Sequence, residues 1–210
     1  MLLVLFALTT GYMTSRPAWK FYCDVTHTNQ HTLRPHSQDI IARAKGKMTI
    51  TSYINVFDKS CSLGLPKNRK SDMETFIKYT RFKPEIKMKY VYYYAPTNDP
   101  QVEKYASSMS LSERIGKVCK AYNLDSTKLK TLPEIEKEVD LSSEGYDFVR
   151  LVERENGQKT FLRMFEDQQK YPQEKEITAA FKKLIMDLPV IGFVNGQGER
   201  ECNDIGDKGY

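Results

Sequence analysis

Residues 48–94 read MTITSYINVFDKSCSLGLPKNRKSDMETFIKYTRFKPEIKMKYVYYY. Residues 48–56 and 86–94 each alternate between two sets of side chains and are rich in β-branched or aromatic residues, so each predicts a strand. Between them, Ser71 and Glu74 fit a capping box that opens a helix through residue 82. A crossover of helix length predicts that the two strands are parallel, as in a βαβ unit.

Further elements extend outward from this unit. Ser37 is expected to start a short helix before it, and Ser110 with Glu113 forms a second capping box after it. Asn156-Gly157 between two alternating runs predicts an antiparallel hairpin. The predicted elements outside the βαβ unit are helices over residues 38–45, 101–109, 111–122, 132–141 and 174–188, and strands over residues 146–155 and 159–167.

These elements follow the order β-α-β-α-(α)-β-β-α. This is the order of a thioredoxin-like α/β layer, a four-stranded mixed sheet with flanking helices. The redox motif of that fold is missing, because Asp58-Lys59-Ser60-Cys61 stands where C-x-x-C would follow the first long strand. After Pro189, residues 190–194 predict a short strand. We therefore expect a thioredoxin-like domain over residues 21–188 and the start of a second α/β domain over residues 189–210.

The composition is that of an ordinary folded protein, with 40% hydrophobic and 28% charged residues. The net charge of +5 results from 32 basic and 27 acidic residues, whose signs are interspersed. The densest basic stretch, residues 67–89, leads into a run of tyrosines, a combination that can bind single-stranded nucleic acid. Strand propensity alone explains the tyrosines, so no nucleic-acid partner is expected.

No set of residues forms a recognisable catalytic or cofactor site. The four cysteines are far apart and include no C-x-x-C pair, so neither a redox nor a zinc role is expected. His27, His31 and His36 lie close in sequence, but Pro35 and the missing carboxylate or cysteine partners argue against a metal site. The chain also lacks a G-x-S-x-G elbow and a marked acid and base pair. We therefore expect no enzyme, no cofactor and no metal.

The amino-terminal residues 1–13, MLLVLFALTTGYM, are almost wholly apolar and uncharged. They are fewer than the ~20 apolar residues that cross a bilayer as a helix. Three interpretations stay open: an atypical signal or anchor, the end of a transmembrane helix that starts upstream, or a buried element. The second is favoured, which assigns residues 1–20 to the end of a membrane anchor or signal-like segment.

The loop after the strand of residues 190–194 is the candidate for a ligand or partner site. Ligands of open α/β sheets lie at the carboxyl ends of strands. The loop matches neither the P-loop nor the dinucleotide-binding motif, and a plain strand exit is the alternative. Its residues are Asn195, Gly196, Gln197, Gly198 and Glu199.

Several short stretches together resemble one family. DVT and TLRPHS, at residues 24–26 and 32–37, resemble the "DLT…TLSP.S" segment of gliding-motility-associated auxiliary components of ABC transporters. The strand at residues 48–58 is similar to the strand that follows in that family. Similar stretches also occur at residues 159–163, 176–181 and 189–199. The resemblance covers nearly the whole chain, but Gln197 stands where the family often has His, which weakens any metal or acid-base role there.

The resemblance implies a non-catalytic auxiliary domain that faces the periplasm and is tethered to the bacterial inner membrane by an N-terminal helix. Its implied partners are an ABC-type permease, beside or fused to it, and a separate ATPase subunit, since this chain has no nucleotide-binding motif. The alternative is a soluble thioredoxin-like domain that binds a small molecule, a sugar or a nucleotide, without redox activity.

Overall fold

A sheet of four strands and a set of helices make up the computed structural model, which describes residues 1–15, 24–97, 100–164 and 171–186. The strands are β1 (Met48–Asn55), β2 (Ile86–Tyr93), β3 (Val149–Arg154) and β4 (Lys159–Leu162). The α-helices are α1 (Leu2–Ser15), α2 (Pro35–Arg43), α3 (Arg69–Thr75), α4 (Ile77–Phe82), α5 (Pro100–Ala106), α6 (Leu111–Tyr122), α7 (Leu132–Glu136) and α8 (Glu174–Ile185). Short 3₁₀ turns lie at Lys59–Gly64, Pro66–Asn68, Ser126–Lys128 and Ser142–Glu144.

The sheet has the strand order β2-β1-β3-β4. β1 and β2 are parallel, with Met48 opposite Ile86 and Asn55 opposite Tyr93, while β3 is antiparallel to both β1 and β4. The predicted parallel βαβ unit and the predicted hairpin are therefore confirmed. So is the α/β class, with a four-stranded mixed sheet and flanking helices.

Successive side chains of a strand point to opposite sides of the sheet. Apolar side chains therefore lie on both faces, and helices and loops cover each face. On one face, Ile50 and Val152 pack in one cluster with residues of α2 and α8, such as Ile41 and Phe181. On the other face, α7 contributes Ile135 to a cluster with the strand residues Tyr53 and Leu151 and the loop residue Leu141. A third cluster lies at the carboxyl end of β1 and β2. Its buried members are Ile54, Val56, Phe57, Cys61 and Tyr92.

The third cluster needs a glycine. A Cβ atom on Gly64 would lie 2.6 Å from the Ile54 side chain and 3.0 Å from that of Phe148. The Tyr92 hydroxyl donates to the Gly64 carbonyl at 2.6 Å, which holds the turn against the sheet. Only a residue without a side chain fits between these partners.

Two predicted helix starts are wrong. α2 begins at Pro35, whose fixed φ suits the first helical turn, and Ser37 lies inside the helix with its buried hydroxyl accepting from Thr178. Ser71 also lies inside its helix, since α3 begins at Arg69 and the chain bends at the buried Phe76 before α4. Burial of side chains in this region overrides the local capping pattern.

Other boundaries are shorter than the sequence predicts. α7 ends at Glu136 instead of residue 141, and Val139 beyond it is buried without being helical. α8 ends at Ile185, and the predicted second domain of residues 189–210 lies outside the described residues.

Over the N-terminal segment, α1 is a regular helix with no buried residue. Of the helices that the structure describes, none is both long and apolar enough to cross a membrane.

Candidate functional site

An open cleft of ≈ 450 Å³ lies at the carboxyl ends of β1 and β2. The carboxyl edge of parallel strands is where ligands of open α/β sheets bind, which makes this cleft the candidate site. Four chain segments that are distant in sequence form its walls, and most of its surface is apolar. The lining residues are Phe57, Tyr94, Ala95, Pro96, Leu111, Arg114, Thr131, Leu132 and Pro133.

Asn55, the last residue of β1, fixes the floor of the cleft. Its amide donates to the carbonyls of Ala95 and Tyr146 at 3.1 and 3.0 Å. Its side-chain oxygen accepts from the backbone N–H groups of Phe57 and Ala95 at 3.1 and 3.2 Å. Because Asn55 is fully buried and has four hydrogen bonds, the ends of β1 and β2 are held in one arrangement.

Arg114 forms one wall and brings no uncompensated charge. Its guanidinium carbon lies 3.8 Å from the centroid of the Phe57 ring, a cation-π contact. Its two terminal nitrogens donate to the two carboxylate oxygens of Glu103 at 3.1 and 3.2 Å. These hydrogen bonds from Arg114 lower the pKa of Glu103 below its ordinary value, so the pair is charged and internally neutralised.

Leu111 gives the cleft an exposed apolar rim, because 54% of its surface is accessible. It is held there by the capping box of Ser110 and Glu113, which the sequence predicts and the structure confirms. An apolar wall beside a neutralised ion pair suits an apolar or uncharged group better than an anion or a cation.

The described thiols are poorly suited to nucleophilic or redox chemistry. Burial raises the pKa of Cys61, the thiol that follows β1, and of Cys119 on α6. The thiolate is the reactive form, so both side chains behave as packing residues near neutral pH. No group of three His, Cys, Asp or Glu side chains within the described ranges could hold a metal ion.

The histidines lie in or beside a turn that Asp24 organises. The Asp24 carboxylate accepts hydrogen bonds from the backbone and hydroxyl of Thr26, the backbone of His31 and the hydroxyl of Thr32. These bonds, that from the Thr26 hydroxyl foremost, lower the pKa of Asp24. The Asp24 bonds therefore close a local turn over residues 24–32, and the segment is attached to the body by the buried Leu33 and by the Arg34 N–H, which donates to Glu174.

Two other clefts, both more polar than the cleft at β1 and β2, lie elsewhere on the described surface. One, of ≈ 490 Å³, lies between the N-termini of α2 and α8, where Glu174 accepts from the backbone N–H of Arg34 at 2.8 Å. The other, of ≈ 370 Å³, lies beside β4 and is lined in part by Lys159, Arg163 and Lys183. Both mix charged and apolar groups and lack the position at the carboxyl edge of the parallel strands.

A buried polar network under α3 was missed by sequence reasoning. Arg150 on β3 donates to Asp72 at 2.5 Å, and the Tyr90 hydroxyl on β2 donates to the same carboxylate at 2.7 Å. The Asp72 side chain is fully buried and that of Arg150 is 5% exposed. Because its two charged members are buried against each other, this network joins α3 to the sheet.

The predicted loop of Asn195, Gly196, Gln197, Gly198 and Glu199 lies outside the described residues. The structure instead offers the cleft at β1 and β2, which the sequence did not identify. One signal was present, since the predicted parallel pair already indicates the carboxyl edge of those strands.

No protein-family model matches this chain, and no curated protein or solved structure is significantly similar to it.

Proposed function

We propose that this chain is a non-catalytic, extracytoplasmic interaction domain of an ABC-type transport system, of the gliding-motility-associated kind. In this proposal the body faces the periplasm and α1 holds it at the bacterial inner membrane. Its partners are the permease and a separate ATPase subunit, and nucleic acid is not among them.

The transporter part of the proposal rests on the sequence resemblance, and the structural observation that supports membrane attachment is the surface of α1. All its residues are exposed, and the large apolar ones include Leu2, Leu5 and Phe6. The hydroxyls of Thr9 and Thr10 donate to backbone carbonyls of the preceding turn, at 2.9 and 2.8 Å. A helix that is apolar on its surface and turns its hydroxyls inward is stabilised by apolar surroundings such as lipid.

The length of α1 agrees with partial insertion. Its 14 residues extend for about 21 Å at 1.5 Å per residue, against about 30 Å for the hydrocarbon core of a bilayer. α1 alone therefore occupies part of the membrane thickness. Tyr12 lies near the end of the helix that leads into the body, where an aromatic residue suits the lipid headgroup layer.

The body supports a role in protein contacts. We propose that it has a thioredoxin-like fold, because its strand order β2-β1-β3-β4, its parallel first pair and its antiparallel β3 fit that arrangement. Cys61 occupies the place of the redox motif as a single buried thiol. Without redox chemistry, the apolar cleft with its exposed Leu111 is available for a partner chain.

Co-purification from membranes tests this proposal. The full chain with an affinity tag is expressed in a bacterium that encodes it, and its membranes are solubilised in mild detergent. We expect the permease and the ATPase to be captured together and identified by mass spectrometry. A variant lacking residues 2–15 should still fold but leave the membrane fraction, since no residue of α1 is buried against the body.

A matched control separates anchoring from folding. A variant with Thr9→Val and Thr10→Val keeps α1 apolar and should stay in the membrane fraction. Recovery of the full chain in the cytoplasmic fraction, or capture from membranes without permease and ATPase, would contradict the proposal.

The second candidate is a small-molecule binding domain, which the position and volume of the cleft favour. Of the two ligand classes, a sugar or a nucleotide, the uncharged sugar suits this cleft better, because Arg114 is already paired with Glu103. This candidate predicts that the ligand raises the melting temperature of the chain and that Leu111→Asp abolishes the shift. Leu111 is a suitable probe because it is exposed and its replacement leaves the core intact. The absence of a shift with either class of ligand counts against this candidate.

A further inference from the structure

β2 lies at one edge of the sheet and has an outer side that is only partly covered. The Val56 N–H donates to the Tyr93 carbonyl, so odd-numbered residues of β2 direct their backbone groups toward β1. The Lys130 N–H donates to the Tyr92 carbonyl at 2.9 Å, and the Tyr94 N–H donates to the Lys130 carbonyl at 3.2 Å. Even-numbered residues therefore direct their backbone groups outward.

The covered part is the carboxyl end, where Lys130 forms an isolated parallel bridge with Tyr93. Further back along the strand, Met88 and Tyr90 also direct their N–H and C=O groups outward, and no described strand pairs with them there. Such an edge is a template for another extended chain, which would gain main-chain hydrogen bonds.

The side chains at this edge define the chemistry of the added chain. Lys87 and Lys89 are exposed on one face and form no ion pair with a described residue, whereas nearby Lys83 is paired with Glu85. On the opposite face, Met88 and Tyr90 are half-buried, and the Arg69 guanidinium carbon lies 5.0 Å from the centroid of the Tyr90 ring. A neighbouring strand would meet apolar side chains there beside a third basic group. Basic groups alternate with apolar groups along this edge.

We propose that the outer edge of β2 binds an extended segment of a partner protein in which acidic residues alternate with apolar residues. Directly opposed charges of unlike sign stabilise a strand pair, and like charges destabilise it. A second copy of β2 would bring its own lysines next to Lys87 and Lys89. The same lysines that prevent self-pairing therefore select an acidic strand. Lys87, Met88, Lys89 and Tyr90 neither belong to α1 nor line the cleft, so the inference goes beyond the transport role and is tested independently of it.

Amide exchange of the full chain in detergent micelles tests the inference. The probe is a short peptide in which glutamate alternates with valine, and the control peptide has lysine in place of glutamate. With the acidic peptide, the Met88 and Tyr90 amides should become protected from hydrogen exchange. The Lys87 and Lys89 amides should be protected already, because they face β1.

Charge reversal gives a second measurement. Lys87→Glu with Lys89→Glu should weaken binding of the acidic peptide about tenfold or more and reverse the preference between the peptides. Lys117→Glu with Lys120→Glu is the matched control, because it changes the net charge equally at exposed positions of α6 and should leave binding unchanged.

Three results would overturn the inference. They are equal binding of the acidic and basic peptides, protection of β4 amides in place of those of β2, and protection of Met88 and Tyr90 that rises with protein concentration without peptide. The last result would assign the edge to a second copy of the chain.

Discussion

Asp72 and Arg150 place opposite charges together in the interior, with Tyr90 as a third member. Removing one charge leaves the other buried without a counter-ion, which is costly even where the intact pair adds little net stability. We expect Asp72→Ala to lower the free energy of unfolding by about 3–5 kcal/mol, measured by urea denaturation.

The exposed pair of Arg43 and Asp39 provides the comparison. Both side chains are more than half exposed, so Asp39→Ala should change stability by less than about 1 kcal/mol. The double variant Asp72→Ala with Arg150→Met should be more stable than Asp72→Ala alone, because no charge is then left unpaired. If Asp72→Ala and Asp39→Ala lower the free energy of unfolding equally, the buried pair is no more important for stability than the exposed pair.

The buried tyrosines predict sensitivity to alkaline pH. Burial raises the pKa of Tyr79, Tyr90 and Tyr93 above the ordinary tyrosine value near ~10. The folded state thus holds these protons more tightly than the unfolded chain. The resulting stability is fully present below about pH 10 and is lost as the pH rises above it toward the folded-state pKa values.

We therefore expect the free energy of unfolding to fall steeply above about pH 10, with phenolate absorbance and circular dichroism changing together. Tyr79→Phe should reduce the steepness, although it also removes a hydrogen bond to the Glu174 carbonyl. Reversible ionisation of all tyrosines with an unchanged circular dichroism spectrum would refute this expectation.

Among the elements, α6 depends on its first turn. The Ser110 hydroxyl accepts from the Glu113 N–H, and the Glu113 carboxylate accepts from the Ser110 N–H. Ser110→Ala should destabilise the chain by about 1 kcal/mol in urea denaturation, the usual value for loss of an N-cap. Ser112→Ala, at an exposed position in the same turn, should be neutral or slightly stabilising. If the two variants behave alike, the capping box does not stabilise α6.

Local patterns predict elements well where the neighbouring contacts agree with them. β1 is rich in β-branched and apolar residues, which suits a strand buried on both faces, and the Asn156-Gly157 turn has Gly157 at φ +84°. The paired strands therefore follow from sequence alone. Ser71 fits a cap equally well by sequence. The helix nevertheless begins before it, because the packing of Phe76 and its neighbours decides where α3 and α4 lie.

The predicted parallel pair indicates the edge of the sheet where the cleft lies, but the walls of the cleft were beyond prediction for a similar reason. Its walls come from the ends of β1 and β2, the start of α6 and the segment into α7, and periodicity does not say which loops become neighbours. The Asn55 hydrogen bonds at the floor of the cleft, to the carbonyls of Ala95 and Tyr146, span 40 and 91 residues of sequence. The predicted loop of residues 195–199 remains a prediction.

At the scale of the whole molecule, contacts between the beginning and the end of the described body complete the fold. The Thr178 hydroxyl of α8 donates to Ser37 of α2 at 2.9 Å and lies 2.7 Å from the Tyr79 hydroxyl of α4. Arg34 and Glu174 add a contact across 140 residues of sequence. α2, α4 and α8 therefore form one layer, although they come from distant parts of the chain.

This arrangement predicts that the body unfolds as one unit and that α8 is indispensable to it. α8 buries Ile177, Phe181 and Leu184 in the first cluster, and each such side chain contributes about 1.5–3 kcal/mol. Their sum is comparable with the about 5–15 kcal/mol that stabilises a typical domain.

A chain that ends at residue 164 should lose cooperative unfolding, measured by circular dichroism in urea. A chain that lacks residues 1–15 should keep both cooperativity and midpoint, because no α1 residue is buried. A shortened chain without α8 that still unfolds cooperatively at the same midpoint would mean that the sheet is stable without its closing layer.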